Sequence, residues 1–206
     1  MRLKPSTLLC PTEDRDYPEW HHGRSDYGLW YVEIEQPELI QYLDQMRLHF
    51  SDLLLPNHRQ YHMTLFVCGF MTTAKKQYND DFLVQQLQQQ IKRLEALQLN
   101  AFQLEITQID SFSSALFLEI TDREGVLAQI RQQLALASDE IAALEYCPHI
   151  TLGVYRDAGS SDTVLQRIQQ LPLKNLKIQV KKLTFGYYKA QILQGLLYPY
   201  QQIELG

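Results

Sequence analysis

Two hundred and six residues, 45% hydrophobic, 21% charged and 11% aromatic, describe one ordinary domain or two small lobes sharing a core, and exclude a disordered tail or a bilayer-spanning protein. No apolar stretch approaches the roughly 18 residues of a membrane span, and Cys10, Cys68 and Cys147 show no paired spacing, so reduced thiols and a cytoplasmic setting are expected. The net charge of −5 argues against coating long nucleic-acid duplexes, which rests on many phosphate neutralisations. Charge is nevertheless uneven: Thr163 to Ile203 hold six Lys and Arg and no acid, as a solvated edge strand or a local anion site would.

In chain order, residues 1–26 read as a polar, irregular extension packed on a single two-lobed domain at 27–206. Leu29 to Ile34 is a first strand. Pro37 suits the first turn of a helix bearing Leu39, Ile40, Leu43 and Met46. Tyr61 to Phe70 is a strand, and Asn79, Asp80 and Asp81 offer capping oxygens to a helix with Leu83, Leu87, Ile91 and Leu94 on its apolar side and glutamines on its solvated side. Ala101–Ile109 and Ala115–Ile120 form a hairpin across Ser111–Ser114. A helix follows with Val126, Leu127, Ile130 and Leu134 on one side. Residues 148–155 make another strand, and a short helix runs through Ile168. Leu176, Ile178 and Val180 alternate, but Leu183 and Phe185 have the opposite parity, which places a bulge or turn near Lys181 and Lys182. A last strand is expected over Leu193 to Tyr200. Hairpins mixed with helices predict an α+β fold, and neither a dinucleotide fingerprint nor a P-loop occurs.

Two strands carry the same tetrad, His62-Met63-Thr64-Leu65 and His149-Ile150-Thr151-Leu152, 87 positions apart. Alternation puts each histidine and threonine on one face and apolar residues on the other, with Phe66 and Cys68 expected to share the face of His62, and Gly153 and Tyr155 that of His149. Half-buried histidines held by their threonines would explain one copy; recurrence in two strands points to chemistry. Two imidazoles across a groove serve as base and acid on opposite sides of one phosphorus, with threonine hydroxyls donating to nonbridging oxygens.

The paired tetrads resemble those of the two-histidine phosphoesterase superfamily, in its LigT-like branch of RNA 2',3'-cyclic phosphodiesterases, also called 2'-5' RNA ligases. The resemblance covers most of the chain. It implies a bilobal LigT-like fold, two antiparallel-rich sheets with outer helices about a pseudo-twofold axis, and a central groove. It assigns catalysis to His62 and His149 and substrate binding to Thr64 and Thr151, with no metal and no cofactor. The implied activity is metal-independent opening of a cyclic phosphate on an RNA terminus or nucleotide, with the 2'-phosphate as product, by an enzyme expected to act as a monomer. Alternatives are 2'-5' ligation or another cyclic phosphate, an RNA- or nucleotide-binding module, and a metal site of His62, His149, Cys68 and Cys147. Arg156 stands farther beyond the second tetrad than the arginine of many relatives. Arg24 as a phosphate clamp and Tyr187 or Tyr188 as a base platform are left outside the expected site.

Overall fold

The computed structural model describes residues 2–206. A one-turn helix, α1 (Pro18–His21), precedes β1 (Asp26–Glu33), so the extension is not irregular throughout. Then come α2 (Pro37–His49), β2 (His62–Thr72), β3 (Asp81–Leu83), α3 (Val84–Ala96), β4 (Phe102–Ser111), β5 (Ala115–Thr121), α4 (Val126–Ala135), β6 (His149–Val154), α5 (Ser161–Gln169), β7 (Lys177–Val180), β8 (Lys182–Lys189) and β9 (Tyr198–Glu204). The parity switch near Lys181 is real and divides β7 from β8. The last strand begins only at Tyr198, because 190–197 is spent on a turn whose amide Gly195 N–H donates to Ile192 O.

Capping at α3 also departs from expectation. Asp81 opens β3, a short strand parallel to the end of β2, and it is the Gln86 side chain that accepts from Leu83 N–H at the start of α3. Asp80 and Asp81 instead receive Arg24 at 2.6 and 2.7 Å, while Asp81 also caps the turn at Gln77 and Tyr78. Gln90 lies on the buried side of α3. It accepts the Trp30 indole N–H at 2.8 Å and donates to Ser138 Oγ.

The strands run in the order β7-β4-β5-β6-β2-β1-β8-β9. The two expected sheets therefore meet as one, through a single pairing between β2 and β6, Met63 with Ile150. These residues occupy the same place in the two tetrads, so a local twofold axis passes between them. β1–α2–β2 and β5–α4–β6 repeat about that axis. The helices cross it: α4 packs behind β2 and α2 behind β6, burying Met63, Leu65, Ile150 and Leu152 completely. Each such buried side chain contributes about 1.5–3 kcal/mol, and these four draw on contacts from both halves.

Half of the cations of the basic late segment are paired within the fold. Arg167 pairs with Asp52, Lys182 with Glu35 and Lys189 with Asp26, and of the segment's strands β7, which opens on Lys177, and β9 are the two sheet edges while β8 lies inside. Among the described residues, no helix is long and apolar enough to cross a membrane.

Candidate functional site

Antiparallel pairing at Met63 and Ile150 puts His62 across from Thr151 and Thr64 across from His149. All four side chains project from the same face and are half-buried. In that register the histidines are offset by about 7 Å along the strands and about 4.8 Å across them, close enough for the charge of His149 to act on His62.

Each ring is fixed in the same way. His62 Nδ1 lies 2.9 Å from Gln60 O and His149 Nδ1 lies 2.7 Å from Cys147 O. A carbonyl only accepts, so Nδ1 carries the proton in both rings and Nε2 is the titrating atom. Aromatic side chains on the flanking strands pack the rings. Tyr31, paired with Thr64, meets His62 edge to face at 5.8 Å. Phe117, paired with Thr151, lies 5.1 Å from His149, and Phe112 stacks on Phe117 while turning its edge to His149. Two pairs farther along, Glu33 faces His62 and Glu119 faces His149. The matching strings Tyr31-Val-Glu33 and Phe117-Leu-Glu119 were a second internal repeat that the tetrads overshadowed.

Twin β-bulges end the pattern of the tetrad face. Trp30 pairs with Phe66 and Tyr31 with Thr64, leaving Leu65 extra; Leu116 pairs with Gly153 and Phe117 with Thr151, leaving Leu152 extra. An extra residue reverses the alternation. Phe66, Cys68 and Tyr155 therefore point into the core, contrary to the alternation. Gly153 is buried too, and a Cβ there would meet Leu54 at 3.1 Å. Cys68 Sγ lies against Gln90 Oε1 at 3.7 Å, off the face of His62, which removes the parity argument for a shared metal site. Among the described residues, no three His, Cys, Asp or Glu side chains gather as a metal site.

The bulged carbonyls are claimed by arginines from the opposite half. Arg131 on α4 donates to Leu65 O, and Arg47 on α2 donates through Nε to Leu152 O at 2.9 Å. Each guanidinium also covers a tyrosine, Tyr146 for Arg131 and Tyr61 for Arg47. Nothing in the tetrads announces these arginines, since they act through helices remote in sequence. Arg156 is turned away, its Nη2 donating to Leu54 O. Arg24 is held by two aspartates, the Tyr187 ring stacks on Tyr198, and Tyr188 lies beneath Arg59.

Burial pushes the His62 pKa down to about 4, with the charges of Arg59 and His149 adding to the shift and the Gln60 carbonyl opposing it. Burial also lowers that of His149; there the Cys147 carbonyl and Glu119 pull upward while Arg2 pulls down. Arg2 comes from the N-terminal segment, whose backbone is tied to Asp110 at Arg2 and to Gly159, Ser113 and Tyr155 farther on. Its guanidinium lies 3.8 Å from Glu119.

Solved structures share this fold. E. coli LigT complexed with 3'-AMP superposes with a TM-score of 0.60 at 14% identity, covering 88% of this chain and 98% of LigT. TT0787 of Thermus thermophilus gives 0.59 at 14%, covering 87% and 97%, and Kluyveromyces marxianus Usb1 gives 0.53 at 12%, covering 81% and 98%. No curated protein sequence matches the chain. The model of the 2'-5' RNA ligase superfamily matches residues 35–191, which take in both tetrads, and the chain belongs to that superfamily of two-histidine phosphoesterases.

Proposed function

We propose that the groove opens 2',3'-cyclic phosphates on RNA termini or nucleotides, giving a monoester. The observation that carries this reading is that both imidazoles bind a backbone carbonyl through Nδ1 and present Nε2 on one face about a local twofold axis. One Nε2 takes a proton from water as the water oxygen attacks phosphorus. The opposite Nε2–H gives its proton to the ribose oxygen as the P–O bond breaks. Departure of the 3'-oxygen leaves the 2'-phosphate, the product favoured by the resemblance. Thr64 and Thr151 donate hydrogen bonds to the nonbridging oxygens, where negative charge is held during displacement. Every proton in this scheme travels on a side chain of the two tetrads. E. coli LigT has been crystallised with 3'-AMP, ATP and NADP+, which supports a nucleotide as the ligand class.

The test is incubation with a 2',3'-cyclic nucleotide in EDTA, beside His62→Ala and His149→Ala. The expected result is turnover by the parent chain and a loss of about 10²–10⁴-fold in each variant, the usual worth of a general acid or base. Turnover that stops in EDTA, or survives loss of either ring, refutes the reading. With an RNA 5'-hydroxyl replacing water as the nucleophile, the same base and acid would join it to the phosphorus as the ribose P–O bond breaks, so supplying an oligonucleotide with a free 5'-hydroxyl distinguishes ligation from hydrolysis by product length.

A further inference from the structure

A half-buried arginine without a counter-ion borders the groove. Arg59 lies in the loop leading into β2, three residues before His62. Its guanidinium covers the Tyr188 ring at 4.1 Å, and Nε donates to Gly195 O at 2.9 Å. Arg15, Arg24, Arg123, Arg131 and Arg167 each have a carboxylate within 2.9 Å, while Arg47 and Arg156 serve backbone carbonyls of the tetrad strand and its neighbouring loop. Among the described residues Arg59 has none, and its Nη groups make no hydrogen bond to the protein. Burial lowers its pKa with only Tyr188 opposing the shift. A desolvated cation without a partner is costly, so an anion is the missing member of this cluster.

The surroundings hold Arg59 ready. The Gln60 side chain clasps Leu197 by both backbone groups, accepting from its N–H at 2.9 Å and donating to its carbonyl at 3.0 Å. Gln194 donates to Pro56 O. Loop 190–197 is thereby pinned to the Arg59 loop, with its Leu197 packed on an apolar wall of Leu29 and Tyr31. A fixed guanidinium fork suits phosphate oxygens geometrically.

We propose that Arg59 is the anion anchor of the groove, holding a phosphate oxygen of the nucleotide ligand against the β1–β8 wall. The ligand class rests on the cyclic-phosphate reading; the anion site itself is tested without turnover. Inorganic phosphate is titrated into the parent chain, Arg59→Gln and Arg59→Lys, with binding read calorimetrically and folding read from the unfolding midpoint. Loss of one charge-assisted contact predicts about 10- to 100-fold weaker phosphate binding in Arg59→Gln and a smaller loss in Arg59→Lys. Unchanged affinity in a folded Arg59→Gln overturns the proposal; if that variant does not fold, unchanged affinity in Arg59→Lys does so.

Turnover then locates the phosphate. Equal losses of kcat/KM on a cyclic mononucleotide and on a dinucleotide ending in a cyclic phosphate place Arg59 at the reacting group. Loss confined to the dinucleotide places it at the flanking phosphodiester, and loss on neither overturns the anchor. A parent chain that binds phosphate through Arg59 yet opens neither substrate removes the hydrolytic reading and leaves the anion site standing.

Discussion

The low proton affinity of His62 makes stability depend on pH in a way one substitution can isolate. The ring titrates at about 4 in the fold against 6.5 for an unperturbed histidine. The fold therefore holds it neutral, whereas the unfolded chain takes up a proton below 6.5. The stability this linkage contributes is intact above pH 6.5 and is lost as pH falls from 6.5 towards about 4. At pH 4.5, well below 6.5 yet still above about 4, the unfolded ring is protonated and the folded one mostly neutral, which corresponds to about 2–3 kcal/mol. With a urea slope of about 2 kcal/mol per molar for a chain of this size, the unfolding midpoint shifts by about 1 M. Urea unfolding at pH 8.0 and 4.5 for the parent chain and His62→Asn isolates the effect, because the other titrating groups are common to both. The parent chain is expected to lose about 1 M more of its midpoint than the variant. Equal losses would mean that the groove solvates the ring fully, and the argument from burial would fail.

The catalytic pH profile follows from the same two rings: with His62 as the lower-titrating base and His149, also depressed from 6.5, as the acid, kcat/KM on a cyclic nucleotide should peak on the acid side of pH 6.5 and fall above it. A rate still rising at pH 8 contradicts that assignment. Arg47→Met and Arg131→Met each leave a bulged carbonyl without its donor, so chemical denaturation should show a loss of about 1–3 kcal/mol, with kcat reduced more than KM changes as the tetrad shifts. Gly69 has φ +108°, and a Cβ there would lie 2.2 Å from Asp80 O; Gly69→Ala should cost over about 3 kcal/mol and lower Tm by about 10 °C in a calorimetric scan.

The parts of the site visible in the sequence were those with short-range periodicity. Met63, Leu65, Ile150 and Leu152 reveal a buried back, so the groove faces of His62, Thr64, His149 and Thr151 follow from alternation alone. Alternation failed from the residue after each tetrad, because Leu65 and Leu152, the last residues of the tetrads, are each an extra residue without a partner of its own. A bulge depends on the neighbouring strand and leaves no mark in the bulged strand's own pattern. Asp80 and Asp81 misled for a similar reason: as capping residues they suited a helix start, but a more demanding partner, Arg24, claims them from 56 residues away. Gln90 looked like one more glutamine of a solvated face until the Trp30 indole needed an acceptor. Arg59 was silent because a single arginine in a loop acquires meaning only when no carboxylate is found beside it.

The repeat about Met63 and Ile150 creates a chemical problem that the surrounding walls address. Two identical tetrads would bind a phosphate in either of two orientations, each ring serving equally as acid or base. A ribose cyclic phosphate is not symmetric, and its two bridging oxygens give different products on cleavage. Selection between them must come from whatever breaks the twofold. Here the first half closes its face with loop 190–197, fastened by Gln60 and Gln194, and sets Arg59 on that side. The second half offers the partly exposed Phe112 ring, stacked on Phe117, and brings in Arg2 from the N-terminal segment. One side is thus cationic and pinned over an apolar wall, while the other is aromatic with a cation already engaged by Glu119. On the proposed cyclic-phosphate reading, the tetrads would supply the proton transfers and the unequal walls would decide which ribose oxygen faces the acid, so product regiochemistry would belong to the residues the repeat does not share.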